Sequence, residues 1–216
     1  MLGSDFGRGR ELKTFDEVRR VGALLGDLRC EWYVCGGWAL DLFLGRVTRE
    51  HKDVDVAVAR RDQLEVQGYL RRRGWKLEKA ADGRLSPWEE GEELRLPLHG
   101  VWCRKERHDP DFFELLLNEI DDETFRFRRD PTVTLPRARM SFESTAGLRV
   151  LAPEVVLLYK SNSPGEHGED FHNAAPALSE EARAWLRGAL DRVSPGHQWA
   201  RELELTSKDE WESNAH

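Results

Sequence analysis

Asp53 and Asp55 are the residues of this 216-residue chain whose type and spacing speak most directly of chemistry. They lie in the run Lys52 to Ala59, where Asp53, Val54, Asp55, Val56, Ala57 and Val58 alternate with the period of two that marks a strand. Residues two apart on a strand share a face, so the carboxylates would stand side by side while the valines enter the core. Neighbouring carboxylates repel unless they are exposed, protonated or bridged by a cation. Mg²⁺ prefers oxygen ligands and keeps substrate phosphates in its shell, so such a strand suits a metal-bound nucleoside triphosphate. An exposed edge strand with a solvated face would show the same pattern.

The surrounding residues favour the first reading. Gly36-Gly37 follows a predicted strand, Trp32 to Cys35, and opens a predicted helix, Trp38 to Leu44, that Gly45 is placed to end. Glycine lets the backbone approach a ligand, and a helix N-terminus favours phosphate oxygens. Arg46, Arg49, His51 and Lys52 then supply phosphate donors just before the carboxylates.

The elements that would position these groups follow from periodicity and punctuation. Thr14 and Glu17 have capping-box spacing, and Val18, Val21, Leu25 and Leu28 recur at helical intervals, which predicts a helix from about Phe15 to Leu28. A second helix is expected over Arg61 to Arg73, ending at Gly74. Further strands are expected at Trp75 to Lys79, His99 to Cys103, Phe112 to Leu117, Phe125 to Arg129 and Leu148 to Leu151. Ser86 to Glu93 is acidic and turn-rich and reads as a loop or hairpin. Pro153 suits the first turn of a helix continuing to Lys160. Ser161 to Glu169 reads as a loop, and helices are expected over Ser179 to Val193 and Gly196 to Leu203, before a frayed end.

Composition excludes several classes. Hydrophobic residues make up 39% of the chain, enough for an ordinary core. No apolar run reaches the roughly 20 residues of a membrane span, and Met1 to Arg10 lack the apolar core of a secretory signal, so a cytoplasmic address is expected. Cys30, Cys35 and Cys103 are odd in number and lack zinc-ligand spacing, which reads as three reduced thiols. With 40 acidic and 33 basic residues the net charge is -7, the wrong sign for gripping a long nucleic acid.

The string Gly36-Gly37-Trp38-Ala39-Leu40-Asp41, continuing through Gly45-Arg46-Val47-Thr48-Arg49 to His51, Asp53 and Asp55, resembles the signature of the aminoglycoside 2''-nucleotidyltransferase-like family. That family sits in the DNA-polymerase-β-like nucleotidyltransferase superfamily, with lincosamide nucleotidyltransferases as more distant relatives. Two more stretches look family-like: Trp102-Cys103-Arg104 followed by Phe113-Glu114-Leu115-Leu116-Leu117 and Phe127-Arg128-Arg129-Asp130-Pro131, and Leu151-Ala152-Pro153-Glu154 continuing to Leu157-Leu158-Tyr159-Lys160. The resemblance implies an α+β fold, a polymerase-β-like mixed sheet with flanking helices, as a nucleotidyltransferase domain over 1–150. A small helical C-terminal domain over 151–216 would follow. It implies Mg²⁺-dependent transfer of a nucleoside monophosphate from an NTP, with ATP the expected donor, to a hydroxyl of a small molecule such as an aminoglycoside, releasing pyrophosphate.

The resemblance also implies a third carboxylate, as metal ligand or general base. Glu114 is the expected one, because a carboxylate inside the apolar run Phe112 to Leu117 needs a partner. Many relatives carry Asp here, and Asp111 is the alternative. Lys160 falls where a lysine of the helical half would reach the nucleotide phosphates. The nucleotide site is therefore expected to use Gly36, Gly37, Arg46, Arg49, His51 and Lys160. Relatives often show a Lys-Asp pair ahead of an Asp-Phe; this chain has His167-Gly168 ahead of Asp170-Phe171. Arg128-Arg129 fit a phosphate contact, an acceptor contact or an exposed strand end. The acidic stretch Glu89, Glu90, Glu92 and Glu93 would suit a polycationic acceptor, or simply water. Two other classes stay open on sequence: a non-catalytic binding or regulatory protein of toxin–antitoxin type on the same fold, and transfer of a nucleotide to protein or RNA.

Overall fold

The computed structural model describes residues 14–205, so the polar start at Met1–Arg10 and the end expected to fray lie outside the described residues. The chain opens with α1 (Asp16–Leu24), β1 (Trp32–Cys35), α2 (Gly36–Leu44) and β2 (Asp55–Ala59). A 3-10 turn leads into α3 (Gln63–Arg72), and β3 (Lys76–Ala81) and β4 (Arg84–Pro87) form a hairpin. Next come β5 (Gly100–Arg104), the long β6 (Phe112–Ile120), β7 (Thr124–Arg126), β8 (Thr134–Pro136), β9 (Ser141–Glu143) and β10 (Arg149–Leu151). The helices α4 (Pro153–Lys160), α5 (Gly168–Ala174), α6 (Glu180–Val193) and α7 (Gln198–Leu205) follow. None of the described helices is long and apolar enough to cross a membrane.

The sheet is mixed, in the order β4-β3-β5-β6-β2-β1-β10-β9, with β7 and β8 extending from the far end of β6. β2 runs parallel to β6 and β1 parallel to β10; the other pairs are antiparallel. In β2, Val56, Ala57, Val58 and Ala59 are all buried, as a central strand covered on both faces requires. β6 alternates instead. Phe113, Leu115 and Leu117 are buried to about 1% exposure or less on one face, while Glu114 and Leu116 on the other are only partly buried. Trp75 packs on Phe113, with ring centroids 5.0 Å apart, on the first of these faces. On the second, the hydroxyl of Tyr159 in α4 donates to Asn118 Oδ1 at 3.1 Å, which draws α4 over the Glu114 side of the sheet.

Local departures from the sequence reading have physical causes. The capping box does not form: the Thr14 hydroxyl donates to Asp16 Oδ2 at 2.8 Å and the helix starts behind Phe15. α1 ends at Leu24, not Leu28, because Gly26 and Asp27 are weak helix formers and the Tyr69 hydroxyl takes the Leu24 carbonyl at 2.6 Å. Residues 88–99 pack on α3, whose Gln63 and Gln67 bind the backbone of Leu94, Glu89 and Gly91. Two expectations hold closely. Pro153 occupies the first turn of α4, and Ser179 caps α6 by accepting from the Ala182 amide at 3.2 Å.

Candidate active site

Strand register builds the centre of the site. Cys35 on β1 lies opposite Asp55 on β2, and Asp55 lies opposite Glu114 on β6. Asp55 and Glu114 therefore stand in one row across neighbouring strands, and Asp53 approaches from the chain just before β2. Oxygens of Asp53, Asp55 and Glu114 lie within 4.8 Å of one another. Burial, with repulsion from Asp53, pushes Asp55 up to about 6. Burial, with repulsion from both aspartates, pushes Glu114 up to about 7. Three converging carboxylates, two of them strained in this way, fit a hard divalent cation, which would favour the ionised form of Asp55 and Glu114.

Two glycines make room for these carboxylates. Gly36 has φ +65°, a conformation that favours glycine, and a Cβ there would collide with Asp55 Oδ2. A Cβ at Gly100, on β5, would lie only 2.8 Å from Glu114 Oε1. The glycine at 36 thus lets the end of β1 close against the carboxylate row, beside the start of α2.

The segment between α2 and β2 is fastened at two points. Asp41, 1% exposed, accepts from the Thr48 amide at 3.1 Å and the Thr48 hydroxyl at 2.5 Å, and its other oxygen meets His51 Nε2 at 2.6 Å. The His51 ring also packs on Trp38, with centroids 4.5 Å apart, and fills the space beside Gly37. The second fastening is Asp170 of α5, 4% exposed. It takes a two-point contact from Arg49, Nε at 2.8 Å and Nη2 at 3.0 Å, and Lys160 Nζ lies 2.8 Å from its Oδ2. Despite burial, the hydrogen bonds from Arg49 and Lys160 hold its carboxyl down to about 2.

A cleft of about 310 Å³ opens above the row. Gly36, Asp55 and Glu114 line one side; His99, Arg128, Arg129, Tyr159, Lys160 and His167 line the rest. Burial lowers the His99 imidazole below its ordinary value. His167 Nδ1 lies 3.7 Å from Asp170 Oδ2, so the His167-Gly168 segment does reach the cleft.

Of the residues expected at the site, Asp53, Asp55 and Glu114 are brought together, and Asp111, the alternative, is exposed and outside the group. Gly36 and Lys160 line the cleft. Arg46 is exposed, Arg49 is engaged by Asp170, and His51 is packed behind Gly37; none of these three lines the cleft, nor does Gly37. Glu89, Glu90, Glu92 and Glu93 do not line it either, and Glu92 is paired with Lys79. Sequence reasoning missed the anchoring parts of Asp41 and Asp170. The signal for Asp170 was an acid beside the apolar Phe171, just past the segment Ser161 to Glu169 that reads as a loop.

Comparison with known proteins agrees with this geometry. Residues 17–99 match a family model described as aminoglycoside-2''-adenylyltransferase. A 2''-aminoglycoside nucleotidyltransferase of Klebsiella pneumoniae is 33% identical over 183 residues, covering 80% of this chain and 92% of the relative. Its counterpart in Escherichia coli is 29% identical over the same shares. In three dimensions the chain is similar to ANT(2'')-Ia crystallised with adenylyl-2''-tobramycin, with a TM-score of 0.56, 18% identity, and coverage of 82% of this chain and 97% of that one. At that identity the likeness bears on the fold, which is that of the polymerase-β-like nucleotidyltransferases.

Proposed function

Because the chain belongs to the 2''-aminoglycoside nucleotidyltransferase family, we propose that it transfers a nucleoside monophosphate from an NTP, with ATP the favoured donor, to a hydroxyl of an aminoglycoside-like acceptor. The observation that carries this reading is the convergence of Asp53, Asp55 and Glu114 beside a glycine turn at the mouth of a cleft lined on its far side by cations.

In this reading Asp53, Asp55 and Glu114 would hold Mg²⁺, which when bound would neutralise charge on the phosphates and on the entering and leaving oxygens. Glu114, as third ligand or as general base, is the carboxylate placed to take the proton of the acceptor hydroxyl. The acceptor oxygen forms a bond to the α-phosphorus as the bond to the bridging oxygen of the β-phosphate breaks. Pyrophosphate leaves with that electron pair. Gly36 lets the backbone lie against the phosphates, and Lys160, held by Asp170, presents its ammonium to them. The acceptor's ammonium groups suit the acidic end of the cleft. The boundary between the sheet domain and the helical domain falls near residue 150, and α4 supplies the wall facing the carboxylates.

A pyrophosphate-release screen over hydroxylated small molecules, aminoglycosides included, tests the reading. Asp53→Asn should lower turnover on the order of a thousandfold, since metal-borne stabilisation is worth several kcal/mol, while leaving the melting temperature in place. Turnover near wild type in that variant sinks the proposal. Absence of metal-dependent binding of ATP and GTP in calorimetry would favour the non-catalytic reading instead.

A further inference from the structure

We propose that Arg128 and Arg129 form an anion-binding wall that receives the polyphosphate tail of the nucleotide, and so fix which end of the cleft the donor and the acceptor occupy. This rests on the transfer reading above but adds a site that it does not contain.

The two arginines line the same cleft as Gly36, Asp55, Glu114 and Lys160. Arg71 is taken up by the Trp88 carbonyl, and several other part-buried arginines are matched to carboxylates: Arg49 to Asp170, Arg60 to Glu119, Arg137 to Glu31 and Arg139 to Glu181. Arg128 and Arg129 are not. Among the described residues the Arg128 guanidinium makes no hydrogen bond and no ion pair; it lies 5.3 Å from the centre of the Tyr159 ring. Arg129 donates one nitrogen to the Tyr159 carbonyl at 3.1 Å and rests against Phe127 and Tyr159, each 5.7 Å from its ring centre. Tyr159 is itself held by Asn118 at 3.1 Å, so the shelf beneath the guanidinium groups is fixed.

Two adjacent guanidinium groups without a carboxylate, that of Arg128 partly buried, are costly in desolvation and in mutual repulsion. Burial lowers both below the ordinary arginine range, and each lacks the compensating partner that Arg49 has. An anion entering the cleft would supply it. Planar guanidinium groups match phosphate oxygens two at a time, and a triphosphate carries the density of charge that two arginines and a lysine can balance. A polycationic acceptor would be repelled from this wall. It is left the opposite, sheet-side approach, where β5 sets Trp102 next to Glu114.

The test is isothermal titration calorimetry of the full chain with inorganic pyrophosphate and with tripolyphosphate. Wild type should bind both. Arg128→Gln should weaken pyrophosphate about tenfold or more, the loss of a charge-assisted contact, and Arg128→Lys should recover part of it. The melting temperature of each variant reports folding, and Arg129→Lys gives a second, milder change in the same wall. No pyrophosphate binding by wild type, or an affinity within about twofold in a folded Arg128→Gln, overturns the site. Arg128-dependent pyrophosphate binding in a chain that transfers nothing to any hydroxyl acceptor supports the site and sinks only the transfer reading. Active transfer with pyrophosphate affinity indifferent to Arg128 sinks only the site.

Discussion

Around Asp53, Asp55 and Glu114, three carboxylates converge with no ion-pair partner among the described residues; around Asp170, one carboxylate is gripped by Arg49 and Lys160. Both groups adjoin the same cleft, yet burial acts on them with opposite outcomes. Asp55 and Glu114 are pushed up to about 6 and 7, whereas Asp170 is held down to about 2. The contrast separates charge arranged to hold the molecule together from charge arranged to receive something. A cluster that strains against its own burial is poised for a ligand, and one that satisfies itself is a fastening.

That contrast can be broken from either side. The largest stability effect is expected at the fastening. Asp170→Ala strands two cations, one of them nearly buried, and should lower unfolding free energy by about 3 kcal/mol, measured by urea titration. An unchanged midpoint would mean that Arg49 and Lys160 find other partners. Removing charge from the carboxylate row should act the other way. Glu114→Gln is expected to stabilise the metal-free protein at neutral pH by about 1–2 kcal/mol while depressing activity. A destabilised Glu114→Gln would contradict the account of an uncompensated row.

The smallest effect sharpens the comparison through pH. Asp55 and Glu114 have folded values above those of the unfolded chain, so their contribution is fully present below about pH 4 and is lost as pH rises through 6 to 7. Asp170 is depressed, so its contribution is present above about pH 4 and lost only as pH falls through about 2. In chelator the melting temperature should therefore slope downward between pH 4 and 7. Asp55→Asn combined with Glu114→Gln should flatten that slope. Addition of Mg²⁺ should restore stability at the upper end of the range in wild type only.

Much of the sheet was legible in the sequence, because its signals are local. The alternation from Asp53 to Ala59, the run Trp32 to Cys35, the helix end at Gly45 and the helix start at Pro153 each act within a few residues of themselves. The carboxylate pair was legible for the same reason, and Glu114 required the family pattern to single it out. What escaped was decided by distant partners. Arg49 looks like a phosphate donor until Asp170, 121 positions later, is seen to occupy it. His51 looks like another phosphate donor until Asp41 and Trp38 enclose it. Short β4, β8 and β9 have little periodicity to read and are set by the strands beside them.

The alternation of β6 carries one more consequence. Phe113, Leu115 and Leu117 fill the core while Glu114, Leu116 and Asn118 look into the cleft. A slip of one residue against β2 would send Glu114 into the apolar layer and put a phenylalanine or leucine beside Asp55 in its place. Hydrophobic packing therefore proofreads the candidate site as the strand is laid down, and a molecule that has sealed its core has also set its carboxylate row in frame.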